Sequence, residues 1–290
     1  MPPKNNPPKR HHFIPQMMLR HFADDDGQLW FWRRDFEKGA VKKTVTKLLF
    51  AENDLYTLVD ADGEKDVALE KFFAKMEGVG AKFIDDLAGI IRASATPELD
   101  DGAWDFWGDF FYYHLKRTPG AIDAFAEHMN FEAKIEETFA KVQEARSQSG
   151  RDPDEPGLKE RIYKSAVVMA QRMPPGEEVR EAFRQFGLAV YRITDPRKSF
   201  IVGDVPGAVS RFSLPGGGMS RETMFLPLTW DIAVGHLTHS RKVEIITVDR
   251  DQVRRMNFAS SARSKIMAGR SEALIRSLSL DVPYAGVVPL

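Results

Sequence analysis

The sequence predicts an α+β fold on three observations: alternating apolar strands near both ends, a long middle with apolar residues at three- and four-residue steps, and no regular alternation of strand with helix. The expected architecture is small N-terminal and C-terminal strand regions packed around a mainly helical middle. Residues 1–10 contain four prolines and read as a disordered tail, followed by one α+β domain over 11–290. His11 and His12 then sit in extended chain, because Pro15, with its helical φ and no N–H to lose, suits the first turn of a short helix. Gln28–Trp32 and Val41–Val45 read as a hairpin around Lys38-Gly39, and Asp54–Val59 as a third strand stopped by Asp60-Ala61-Asp62-Gly63.

From Lys65 the period turns helical through Val67, Phe73, Met76, Phe83 and Leu87, giving one long helix or two. Leu99–Arg117 is aromatic on most of its circumference, so it should be buried, with the N- and C-terminal strands approaching each other across it. Further helices are expected at Ala121–Ser147, Leu158–Arg172 and Glu177–Phe186, separated by exposed loops at 150–157 and 173–176. Strand character follows at Leu188–Ile193, Ser199–Val202, Met224–Leu226, Ile232–Leu237 and Val243–Val248, then helices at Asp251–Ala268 and Ser271–Leu278.

With 290 residues, 43% apolar and 29% charged, the chain has the composition of a soluble protein able to bury a sizeable core. No run approaches the roughly eighteen apolar residues of a membrane span, and the first ten residues have no apolar segment for secretion, so a cytoplasmic location is expected. Absence of cysteine excludes disulfides, thiolate metal sites and cysteine nucleophiles, leaving any metal to His, Asp, Glu or Asn. The net charge of −1 hides an acidic centre: residues 51–110 carry 15 Asp/Glu against 5 Lys/Arg, while residues 1–50 and 241–276 are each +5. Basic ends can pack on an acidic middle, the default, or face an anionic partner such as nucleic acid.

The stretch from Arg10 to Phe22 is the most chemically loaded, with three of the seven histidines in thirteen residues. Its paired imidazoles suit proton transfer, metal ligation or anion capture, or else anchor a core of Phe13, Met17, Met18 and Phe22. Glu70 and Glu77 share a helix face about 10 Å apart by helix rise, too far for one metal, and solvated glutamates are the default reading. His114 and Arg117 share a face of the aromatic helix; Arg117 suits a carboxylate or phosphate as well as the helix end. Asp204 ends an apolar strand, where a carboxylate is fixed yet accessible, or forms an Asx turn. Gly216-Gly217-Gly218 reads as a turn, since a phosphate loop's lysine and hydroxyl are missing. Asn257 and Arg263 offer polar contacts from the penultimate helix.

His11-His12-Phe13-Ile14-Pro15 followed by Leu19-Arg20-His21-Phe22 resembles the opening of an uncharacterised, mainly bacterial family catalogued as domain of unknown function 4238. Further matches follow in order at Glu52–Tyr56, Glu70 and Glu77, Arg117-Thr118-Pro119, Phe200–Pro206, Phe225–Leu228 and Asn257–Ala262. The chain departs from its relatives at His114, where many have glutamine, and at Val205, where many have asparagine. The family carries no established activity, so the resemblance implies site candidates and no chemistry.

No Gly-x-Ser-x-Gly, His-Glu-x-x-His, dinucleotide or kinase motif is present. The remaining set points to a cytoplasmic hydrolase of nuclease or phosphodiesterase type, with His11, His12, Arg117 and Asp204 catalytic and Arg20, His114, Asn257 and Arg263 binding an anionic substrate. A divalent metal held by histidine and carboxylate is compatible with the set, and the cofactor stays open. The alternative is a non-catalytic ligand-sensing or protein-interaction module. The two separate on whether His11 or His12 reaches Arg117 and Asp204 in an open cleft.

Overall fold

The structure, a computed structural model, describes residues 9–59, 65–128, 130–212, 218, 222–237 and 241–285. Most of the expected tail, the 60–63 turn and Gly216-Gly217 lie outside these. The elements run β1 (Arg10–His12), α1 (Gln16–Arg20), β2 (Gln28–Arg33), β3 (Lys42–Val45), β4 (Ala51–Asn53), β5 (Leu58–Val59), β6 (Lys65–Asp66), α2 (Ala68–Arg92), α3 (Asp101–Lys116), α4 (Pro119–His128), α5 (Phe131–Gln148), α6 (Leu158–Arg172) and α7 (Glu177–Gln185). They continue as β7 (Gly187–Arg192), β8 (Val202–Gly203), β9 (Ala208–Ser210), β10 (Thr223–Pro227), β11 (Ile232–Leu237), β12 (Val243–Thr247), α8 (Arg250–Arg263), β13 (Ile266–Gly269) and α9 (Glu272–Asp281). The fold class is α+β, with strand-rich ends around a helical middle.

A five-stranded sheet, ordered β12-β7-β11-β10-β9, is the centre, antiparallel except for the β12–β7 pair. Strand alternation sends its side chains into two cores. Leu188, Val190, Leu226 and Val234 pack with Phe73, Ile84, Phe110 and Phe111 of α2 and α3. Ala189, Tyr191, Phe225 and Ala233 face the other way, onto Phe13, Ile14, Leu19, Leu29 and Met256. Both faces are covered, which is why β7 reads as a continuous apolar run. α2 and α3 approach closely at Gly80, where a Cβ would lie 2.9 Å from the Phe110 ring.

The two ends of the chain meet directly rather than across α3: β2 pairs antiparallel with β13 in the sheet β3-β2-β13-β8. Tertiary partners explain the other departures. The expected strand Ser199–Val202 shrinks to β8, because the Asn257 side chain accepts the Ile201 N–H (3.1 Å) and donates to the Ser199 carbonyl (2.8 Å). The expected helix to Ala268 stops at Arg263, and the next residues join β2 as β13. Ala121–Ser147 divides into α4 and α5 before Asn130, which has a left-handed φ of 47°. Left-handed Asp54 (φ 52°) likewise breaks the third strand, and Arg10, placed in the tail by sequence, begins β1 opposite Asn53.

Asp231, before β11, ties this sheet to the end of α2: Arg92 donates to it twice (2.6 and 2.8 Å) and the Thr229 hydroxyl once (2.7 Å). These bonds hold its carboxyl below the usual range although burial pushes the other way. Asp231→Ala should cost about 1–2 kcal/mol, less than a fully buried pair because Arg92 regains water. Chemical denaturation tests this; an unchanged midpoint would show that the tie contributes nothing.

Candidate functional site

The β1–β4 ladder pairs His11 with Glu52 and His12 with Ala51, and alternation along β1 turns the two imidazoles apart. His11 goes inward and is buried, stacked on the Tyr56 ring at 5.4 Å and 12°. Its Nδ1 accepts the Tyr56 backbone N–H (2.9 Å), so the ring hydrogen sits on Nε2, which faces Glu70 Oε2 at 3.2 Å. His12 turns instead towards Gln16, whose Nε2 lies 3.5 Å from Nδ1, while His12 Nε2 is buried without a partner at bonding geometry. Burial lowers the His12 pKa; the Lys47 backbone opposes this, and the positive charges of Arg10 and Arg117 add to it. His12 is therefore neutral at pH 7.

Arg117 follows α3 and is 2% exposed. Its Nη2 donates to the His12 carbonyl (2.6 Å) and to Glu77 (2.7 Å), its Nε to the Tyr56 hydroxyl (3.3 Å), and its guanidinium lies 4.4 Å from the Phe73 ring centre. The Tyr56 hydroxyl donates to the Arg117 carbonyl (3.0 Å). Burial works against the charge, but Tyr56 and Glu77 outweigh it and hold the pKa above the ordinary arginine value. Nη1 is buried without a partner. Glu70, Phe73 and Glu77 form one stripe of α2, and with His11, His12 and Arg117 they line a recess of about 220 Å³.

The histidine pair and Arg117 thus meet, but Asp204 does not join them. It lines a second recess of about 380 Å³, together with Arg263. A Cβ at Gly203 would lie 2.0 Å from the Ser264 hydroxyl, so only glycine lets β8 approach the end of α8, where Asp204 Oδ1 accepts the Lys265 N–H (2.9 Å). Burial pushes the Asp204 carboxyl up to about 6, against these backbone bonds. His114 lines neither recess: it is 0% exposed, stacked on Phe110 at 5.4 Å, with neither ring nitrogen partnered. Burial, reinforced by Arg117, lowers its pKa to about 3. Asn257 is the backbone clamp described above, and Arg20 is exposed at the end of α1, in neither recess.

Sequence reasoning left Tyr56 out and read Glu70 and Glu77 as solvated by default. Their seven-residue spacing was the available signal, and it places both at this recess. Among the described residues no group of three or more His, Asp or Glu is arranged to hold a metal ion, and no helix is long and apolar enough to cross a membrane. Comparison with curated proteins and with solved structures gives no match. The family model described as "Protein of unknown function (DUF4238)" matches residues 10–272, covering both recesses, and the chain belongs to that family.

Proposed function

We propose that the protein is a cytoplasmic hydrolase of phosphodiesterase or nuclease type, with the Arg117 recess as its site. One observation carries the reading: Arg117 Nη1 and His12 Nε2 line this recess, buried and without a partner at bonding geometry, and buried polar groups in proteins are usually paired. An anionic phosphodiester group would satisfy Arg117. Neutral His12 would take a proton from the attacking water as the new P–O bond forms, then return it to the oxygen that leaves as the old bond breaks. Glu70, oriented by His11, takes the carboxylate place expected of Asp204.

His12→Ala should lower turnover of DNA, RNA or bis(p-nitrophenyl) phosphate at least about a hundredfold with an unchanged melting curve. The assay is run with and without divalent metals. Since the His12 pKa is lowered, the wild-type rate should hold its plateau below pH 6.5 before falling. A non-catalytic ligand-sensing or interaction role has its own support, because both His11 ring nitrogens are already engaged within the protein. No wild-type turnover on any of these substrates would sink the hydrolase reading in favour of that one.

A further inference from the structure

β12 forms one edge of the central sheet, and among the described residues no strand pairs with its outer side. The direction of its backbone groups follows from the bonds at its two ends: the Lys242 carbonyl accepts the Leu188 N–H (2.9 Å), and the Val248 N–H donates to the Arg192 carbonyl (3.0 Å). Even-numbered residues therefore address β7, and the N–H and C=O groups of Val243, Ile245 and Thr247 point outward. An open edge is a template for another strand unless something blocks it. Such a block guards the edge of the other sheet, where β3 carries Lys42 and Lys43. β12 has neither proline nor lysine, and all its residues but Glu244 are β-branched. Val243, Ile245 and Ile246 are only half-buried, so a further strand would complete their burial.

We propose that this edge is the contact between two copies of the chain, whose β12 strands pair antiparallel about a two-fold axis at Ile245 and join the central sheets into one. In that register Ile245 faces itself and Val243 faces Thr247 of the second copy. These are all outward-pointing residues, so each pair exchanges both of its backbone bonds. Charge selects the register. The exposed Arg241 meets the exposed Asp249 of the second copy, and Glu244 meets Ile246. An axis at Glu244 would instead oppose the two Glu244 carboxylates, and one at Ile246 would bring Lys242 against Arg250. Asp249 uses only Oδ1 for the Gln252 N–H (2.7 Å), and the Asp101 side chain that Arg241 now meets is 92% exposed, so changing partner costs Arg241 little. The contact is independent of the hydrolase reading, because it needs no turnover and uses no residue of the Arg117 recess.

Sedimentation velocity of the full chain, from micromolar to near-millimolar concentration, should show its mass doubling. Thr247→Pro removes an outward N–H that has no partner within the chain, so it should melt like the wild type yet dimerise at least tenfold more weakly. The register is read by cross-linking, since the chain has no cysteine of its own. Ile245→Cys would face itself across the axis with about 5.5 Å between Cα atoms, within disulfide reach. Under a mild oxidant it should form a covalent dimer at least tenfold faster than Thr247→Cys, which lies two residues off the axis. If Thr247→Pro fails to fold, the ratio of cross-linking rates decides the matter. A wild type that stays monomeric throughout, a folded Thr247→Pro that dimerises undiminished, or a Thr247→Cys that cross-links as fast as Ile245→Cys would each overturn the proposal.

Discussion

Replacing Arg117 by methionine is expected to lower stability by about 3–5 kcal/mol, the scale for removing one partner of a buried ion pair. The guanidinium joins the His12 carbonyl, Glu77 and the Tyr56 hydroxyl, so its removal frees the junction of β1, α2 and the end of α3 at once. Methionine refills the space against Phe73 but leaves those acceptors bare. At about 2–4 °C per kcal/mol for a large domain, the melting temperature should drop by roughly 6–20 °C. Glu77→Gln should cost less, because the Glu77 side chain is 26% exposed and water replaces the lost bond. A drop below about 3 °C for Arg117→Met would mean that packing, not the ion pair, holds this junction.

Stability should fall steeply as the pH drops below 6.5, because two histidines are kept neutral by burial. The pKa of His114 is lowered to about 3, and that of His236, set among the rings of Phe111, Phe183 and Phe186, to about 4. Between those values and 6.5 the unfolded chain binds protons that the folded protein refuses, so stability increases with pH across the window and decreases with acid. Each ring contributes a slope of about 1.4 kcal/mol per pH unit. Two rings over two units give roughly 5 kcal/mol; below pH 6 Asp204 offsets part of this, because burial raises its carboxyl to about 6 and the folded protein there takes up a proton before the unfolded chain does. Denaturant titrations at pH 7, 6 and 5 test this: His114→Gln and His236→Phe should each make the slope shallower. A wild-type midpoint that is flat from pH 7 to pH 5 would show that the rings are hydrated in solution.

Where structure is local, it was readable from the chain. α6 and β11 occupy the spans their periodicities indicate, and Asp100 caps α3 by accepting the Ala103 N–H (2.7 Å), as an acid ahead of an aromatic helix should. β8 and β13 depart from their local patterns because their backbone bonds go to distant partners, the Asn257 amide in one case and β2 in the other. Local propensity carries no information about partners more than fifty residues away.

The candidate site divides in the same way. By itself the sequence determined the α+β class, the extended histidine pair ahead of a proline-started helix, and the common face of Glu70 and Glu77. It also placed His114 and Arg117 on one side of an aromatic helix. Only the tertiary structure decided depth and company. It saturated His11, left a nitrogen of His12 and of Arg117 unpartnered, sealed His114 in the core, and put Asp204 in a different recess. Periodicity fixes the direction in which a side chain leaves its own element. What it meets there depends on how residues 11, 70 and 117 are brought together, and that is set by the packing of α2 and α3 on a sheet whose strands come from the far end of the chain.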